Sequence, residues 1–285
     1  MQTRRIGAHV PASGGLAKRA IKYAQDVSAE TIQVFVSNPR GWATPEGNPA
    51  DDERFRALAA ELNLSTWVHA PFLINLGSPT ESTYKNSLNS IQHSINRARS
   101  IGALGVVIHT GSAVESSFRE KAWKQIQKGA LPLVEQLEDS DPWLLLEPTA
   151  GQGESLCRKF EDLIEYLNAF KHHPKVGICL DTCHAFAAGY DMAGPGGVSS
   201  MLESLISVVG DRLKLIHVND SKDVCSSLKD RHENLGKGKI GVDPFKELIA
   251  HPAIKNAPLI LETPGNEPEH GSEVALLRKI RDSKK

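Results

Sequence analysis

Cysteine is scarce in this chain. Cys157, Cys179, Cys183 and Cys225 are spread through 285 residues with no CxxC pair. A chain of this length can bury a large core without cross-links, so the pattern argues against a disulfide scaffold and predicts reduced thiols in a cytoplasmic setting. Net charge is missing too. The 33 basic and 34 acidic residues leave −1 and a pI near 6.8, so no global basic field advertises nucleic acid, although bound cations would alter that balance. The start, Met1 to Ile6, lacks the apolar stretch of a secretory signal. No window reaches the ~18 uninterrupted apolar residues of a membrane span. These absences predict a soluble protein with no membrane partner, and a single domain over residues 1–285.

What the chain does have is one event repeated. Val176-Gly177-Ile178-Cys179-Leu180 is a short apolar run that stops at Asp181, with His184 three residues on. Such a run is the pattern of a strand buried on both faces. The same event recurs where Ser65–Val68 ends in His69, Gly105–Ile108 in His109, Trp143–Leu146 in Glu147, Leu213–Ile216 in His217 and Pro258–Leu261 in Glu262. Packing gives a core strand no reason to finish in a carboxylate or an imidazole, so the carboxyl ends of these strands are expected to form one site.

Between the runs the pattern turns helical. Helices are expected over 16–25, 51–62 (capped by Asp51 or Asp52), 80–100, 116–137 with a break at Pro132, 154–170, 198–209, 242–250 and 272–281. Strands at Arg5–Val10 and Thr31–Val36 complete a set of eight. Eight alternating units of roughly 30 to 40 residues predict parallel strands with right-handed crossovers. They favour a closed (β/α)8 TIM barrel, whose sites lie at the carboxyl ends of the strands. An open doubly wound sheet would not bring six strand ends to one point.

Nine side chains are candidate metal ligands: His69, His109, Glu147, Asp181, His184, His217, Asp230, His232 and Glu262. Asp230 and His232 come from Asn219–Gly241, a connection too long to be a simple loop. Imidazole mixed with carboxylate suits zinc, manganese or iron rather than magnesium or calcium. Nine ligands are too many for one ion, whereas two or three fit. Clustered divalent ions clamp an in-line displacement at phosphorus. Three of them would leave a site with four carboxylates at about +2 and carry the chain from −1 to about +5, which suits a phosphodiester anion. His9 also ends a strand, but has no second ligand type beside it.

The blocks Ile6–Val10, Asn75-Leu76-Gly77, Thr149–Gly153, Leu180–His184, His217–Lys222, Arg231–Gly236 and Leu261–Pro264 resemble, in order and over nearly the whole chain, the endonuclease IV family of apurinic/apyrimidinic (AP) endonucleases. The resemblance implies a trinuclear zinc barrel, with manganese or iron as substitutes. It implies base excision repair on double-stranded DNA containing abasic sites: hydrolysis 5′ to the lesion, leaving a 3′-hydroxyl and a 5′-deoxyribose phosphate, with removal of 3′-blocking groups. It assigns His69, His109 and Glu147 to the first ion, Glu147, Asp181, His217 and Glu262 to the second, and His184, Asp230 and His232 to the third. Glu147 and Glu262 would serve catalysis, the latter by orienting the attacking water.

The same resemblance makes Arg40, Phe72 and Leu73 the residues that penetrate DNA, which accounts for the unusually apolar loop Ala70–Leu76. Lys222 and Lys237, with Lys85 and Lys239, are candidate phosphate contacts. A monomer is expected, because an exposed DNA face needs no symmetric partner. Phe72 stands where tyrosine is common in the family, and Pro148 where asparagine is usual, so a hydrogen bond supporting the metal site is expected to be lost or replaced. The competing reading is a metal-dependent sugar isomerase on the same barrel.

Overall fold

The computed structural model describes residues Arg4 to Ser283; Met1 to Thr3 and the last two residues lie outside it. Strands β1 (Ile6–His9), β2 (Thr31–Phe35), β3 (Ser65–His69), β4 (Gly105–His109), β5 (Trp143–Glu147), β6 (Val176–Asp181) and β7 (Leu213–His217) are followed by two short strands, β8 (Asp220–Ser221) and β9 (His232–Glu233), and by β10 (Leu259–Leu261). The eight longer ones close into a barrel in the order β1-β10-β7-β6-β5-β4-β3-β2, every pair parallel. β8 and β9 pair antiparallel as a small ribbon inside the β7–β10 connection. The expected closed (β/α)8 barrel is therefore the fold.

Register carries the strand endings to one level. His109 lies opposite Glu147 across β4 and β5, and Asp181 opposite His217 across β6 and β7. Beneath them Trp67, Val107, Leu145, Cys179, Leu215 and Ile260 fill the barrel interior. Burying each large apolar side chain in such a layer stabilises by about 1.5–3 kcal/mol, so the site stands on a packed floor. Closure is tight between β1 and β2: a Cβ added to Gly7 would sit 1.6 Å from the Thr31 carbonyl oxygen, which only glycine avoids.

The helices are α1 (Ile21–Asp26), α2 (Pro49–Glu61), α3 (Glu81–Ile101), α4 (Arg119–Val134), α5 (Leu163–Ala169), α6 (Thr182–Ala188), α7 (Gly197–Val209), α8 (Val242–Ala250) and α9 (Glu267–Asp282). α4 runs through the expected break at Pro132 and ends at Val134, and five further differences from expectation have local causes. A wider π-turn, Leu16–Ala20, precedes α1. The cap of α2 is Asn48, whose side chain accepts from the amides of Ala50 and Asp51 ahead of Pro49; Asp51 instead accepts from the Leu16 amide, and Asp52 pairs with buried Arg97. Helix does not begin at Glu154, because residues 154–156 pair with the loop after β4 through Glu154 O to the Ala113 amide and Gly111 O to the Leu156 amide. α9 starts earlier, at a capping box of Asn266 and Glu269. The segment after Asp181, for which no helix was expected, is α6. Among the described residues no helix is long and apolar enough to cross a membrane, and the four cysteines are free.

Candidate metal centre

All nine candidate ligands converge at the carboxyl rim of the barrel. His69, His109, Glu147, Asp181 and His217 end their strands, and Glu262 follows β10. Asp181 also caps α6, its side chain accepting from the His184 amide at 2.8 Å, and that turn of helix aims His184 inward. His232 arrives on β9, and Asp230 on the loop that joins β8 to β9. Besides two overlapping groups that add Cys179 or Cys183, their donor atoms fall into three groups, each within 4.8 Å: His69, His109 and Glu147; Glu147, Asp181, His217 and Glu262; and His184, Asp230 and His232. Glu147 belongs to two of these three and is fully buried.

Around Glu147 Oε2 the spacing is that of ligands, not of hydrogen-bonded pairs. Glu147 Oε2 lies 3.3 Å from His69 Nε2 and 3.4 Å from His109 Nε2, yet it has no hydrogen-bond partner, and neither has His232 Nε2. Two corners of a tetrahedron around an ion with bonds of about 2.0–2.1 Å are separated by about 3.3–3.4 Å. In the third group His184 Nε2 and His232 Nε2 sit 3.1 and 3.2 Å from the two oxygens of Asp230. Orphaned buried polar atoms at these separations fit divalent cations, and the mixed donor set fits a borderline metal.

Support for the ligands is largely main chain. A carbonyl can only accept, so His69 donates from Nδ1 to Ala70 O, His184 to Pro148 O and His232 to Glu262 O, which turns each Nε2 toward the cluster. Proline at 148 leaves the His184 bond intact, since that bond goes to the main-chain oxygen and not to a side chain. His217 is reversed: its Nε2 faces Gln33 Oε1 at 2.9 Å and its Nδ1 faces Glu147 and Glu262 at 2.9 and 3.1 Å. Asn219 donates to Asp181 Oδ2 and accepts from the Glu262 amide.

Electrostatics divide the imidazoles. Burial dominates at His109 and lowers its pKa to about 4 despite Glu147. At His232 burial is outweighed by Asp181 and Asp230, raising it to about 9, and His184 is raised for the same reason. At Glu147 burial is overcome by the charges of His217 and His109, which hold the carboxyl well below its usual range. The metal-free cluster therefore stores protons on its imidazoles that cations would displace.

The expected DNA-facing residues gather beside the cluster. Phe72 and Leu73 are 47% and 36% exposed, whereas Ile74 and Leu76 of the same loop are buried, so the loop both folds onto the core and projects from it. Its Phe72 amide bonds Pro39 O, bringing it against the exposed Arg40. The Phe72 ring stacks on His109 at 5.8 Å. Phe72, Leu73 and His109 border a cavity of about 280 Å³ that also touches Gln152, His184 and Asp230. A larger cleft of about 590 Å³ between the loops after β1 and β2 meets the cluster only through His9. Lys222, Lys237 and Lys239 are exposed; Lys85 pairs with Glu81 across one helical turn, which favours its reading as a solvated surface residue.

Gln33 and Asn219 were not singled out by the strand-end pattern. The one available signal for Gln33 is an amide within the apolar strand Ile32–Phe35. His9 lies at the periphery, 3.6 Å from Glu262, while His270 bonds Tyr23 and the Thr263 carbonyl and belongs to none of the ligand groups.

A family profile described as "Xylose isomerase-like TIM barrel" matches residues 21–280. The chain is 54% identical to the probable endonuclease 4 of Streptomyces avermitilis, over 97% of this chain and 90% of that one. It superposes on the crystal structure of endonuclease IV from Thermus thermophilus with a TM-score of 0.86 at 32% identity, covering 98% and 99% of the two chains. A D-tagatose 3-epimerase-like protein matches with a TM-score of 0.74 at 19% identity over 98% and 97%, a likeness of fold alone.

Proposed function

Because the chain belongs to the endonuclease IV family, DNA-cleaving hydrolases on the xylose isomerase-like barrel, we propose that it hydrolyses the phosphodiester 5′ to an abasic site in duplex DNA, leaving a 3′-hydroxyl. The observation that carries this reading is Glu147, whose two buried oxygens belong to two ligand groups at once. Three zinc ions are the proposed complement, with manganese or iron as substitutes. Bound there, they supply Lewis acidity that lowers the pKa of water and takes up charge on the leaving oxygen.

The protein's own residues do the rest. Glu147, Asp181, His217 and Glu262 define the deep end, where Glu262 Oε2 is 3.1 Å from His217 Nδ1 and orients the attacking water. His184, Asp230 and His232 define the open end, with the Asp230 side chain 41% exposed, where the 3′-oxygen departs. Arg40, Phe72 and Leu73 enter the duplex and stabilise the gap left by the missing base, where unstacking costs least. Lys222 and Lys237 contact phosphates flanking the lesion. Removal of 3′-blocking groups, a monomeric state and a cytoplasmic setting belong to the same proposal.

A sugar-isomerase reading accounts for neither the Asp230–His232 group nor the exposed Phe72-Leu73 pair. Two measurements test the nuclease reading. Elemental analysis of the purified protein is expected to give close to three equivalents of zinc. Glu262→Gln is expected to abolish incision of an abasic duplex while keeping binding within about tenfold. Turnover of ketoses with no incision would reject the proposal.

A further inference from the structure

Gln33 is 0% exposed at the centre of β2, where an amide is costly unless all its hydrogen bonds are made. They are. Its Nε2 lies 2.6 Å from Glu262 Oε1 and 3.0 Å from His9 Nδ1, and its Oε1 lies 2.9 Å from His217 Nε2. A carboxylate only accepts, so the amide nitrogen must face Glu262 and the amide oxygen must face His217. His217 must then donate from Nε2. A cation held by Glu147, Asp181 and Glu262 would therefore meet the lone pair of Nδ1; without one, Nδ1 carries a proton toward Glu147 Oε1 and Glu262 Oε2, at 2.9 and 3.1 Å.

The other three imidazoles with a fixed donor, His69, His184 and His232, are oriented by main-chain carbonyls, which no substitution removes. His217 alone depends on a side chain, and the same side chain grips the second oxygen of Glu262. We propose that Gln33 is a positioning residue: it selects the His217 tautomer that presents Nδ1 to the group shared with Glu147, Asp181 and Glu262, and it sets the orientation of Glu262. This rests on the reading that the group binds divalent cations.

Two variants separate the two bonds. Gln33→Met keeps the volume and loses both. Gln33→Glu keeps an acceptor for His217, but loses the donor to Glu262 and sets a carboxylate against it. The readouts are zinc content, zinc transfer to a chromophoric chelator, the ring 15N signals of His217 in the zinc-loaded protein, and incision of an abasic duplex. For Gln33→Met we expect zinc release from one position to be roughly 10- to 100-fold faster and the Nε2–H signature of His217 to be lost. For Gln33→Glu we expect zinc content and that signature to persist while incision falls by at least roughly tenfold.

Wild-type zinc retention together with an unchanged His217 signature in Gln33→Met would overturn the inference. So would zinc loss in Gln33→Glu equal to that in the methionine variant, or wild-type incision by Gln33→Glu. If Gln33→Met does not fold, the glutamate variant decides on those same criteria. A wild-type protein that takes up no zinc overturns the metal reading itself, and this inference with it.

Discussion

At the scale of single residues, competition between cations and protons gives each ligand group its own pH range. His109, lowered to about 4 by burial, is neutral throughout the physiological range and gives up no proton on binding. His232, raised to about 9, carries a proton at pH 7 in the metal-free protein. His184 and His217 are likewise raised, burial being overcome by Asp181 and Asp230 at the first and by Cys179 and Glu262 at the second. Lowering the pH favours these protons, so cation affinity at the Asp230 group should fall by about tenfold per unit and per proton below about pH 9. At the His69 group, His109 begins to compete only near pH 4. Dialysis from pH 8 to pH 5 is therefore expected to strip the Asp230 group first, as a distinct step in metal content that is missing in Asp230→Asn. Loss of all ions in a single step would reject the assignment. The stability of the metal-free protein runs the other way. Folded pKa values raised above the unfolded 6.5 stabilise below that value and are lost as pH rises through about 9, so the gap in Tm between loaded and metal-free protein should widen over that interval. The ligands were legible in sequence because each breaks an apolar run at its end. Gln33 and Asn219 were not, because their polarity is consumed by hydrogen bonds inside the fold.

At the scale of elements, the β7–β10 connection is held by one buried carboxylate. Asp220 Oδ2 accepts from the amides of Gly236, Gly238 and Gly241, and Oδ1 from those of Ser221 and Ile240. It thereby closes the segment that carries Asp230 and His232. Glu273 adds a bond from the Leu235 amide, and the Asp223–Arg231 pair joins the strands of the ribbon at its exposed end. In Asp220→Asn, whichever way the amide turns, its NH2 group opposes two or three backbone donors. Each charge-assisted bond lost costs about 1.5–3 kcal/mol. The expected result is faster proteolysis within 222–241 and loss of metal from the Asp230 group, with the barrel still folded by circular dichroism. Unchanged protease resistance would count against Asp220 as the organising residue. The same segment marks a limit of reading by pattern. Its length pointed to function, but no periodicity revealed the ribbon, because two-residue strands are stabilised by Asp220 and not by alternation. α6 was missed for a related reason: its seven residues are all buried, so it has no polar face to report its period.

At the scale of the whole molecule, the barrel was legible because eight apolar runs spaced by helical patterns admit few closed arrangements, and parallel register then fixes the level of their ends. Charge is the property the sequence misrepresents. A formal −1 describes a chain whose carboxylates Glu147, Asp181, Asp230 and Glu262 meet on the face expected to receive DNA. Without cations their four charges are offset only by protons on His184, His217 and His232; with three divalent ions the molecule would reach about +5. Affinity for an abasic duplex with a non-hydrolysable target linkage should therefore fall on metal removal, and its dependence on salt should become shallower, since fewer counterions are released. Lys222→Ala provides the calibration: removing one phosphate-directed cation should reduce the slope of log K against log salt by about one. Metal removal should reduce it by more than that. A metal-free protein that retains both the affinity and the slope of the loaded one would mean that DNA lies elsewhere on the surface, and that the cluster, however well its ligands are spaced, does not face the scissile phosphate.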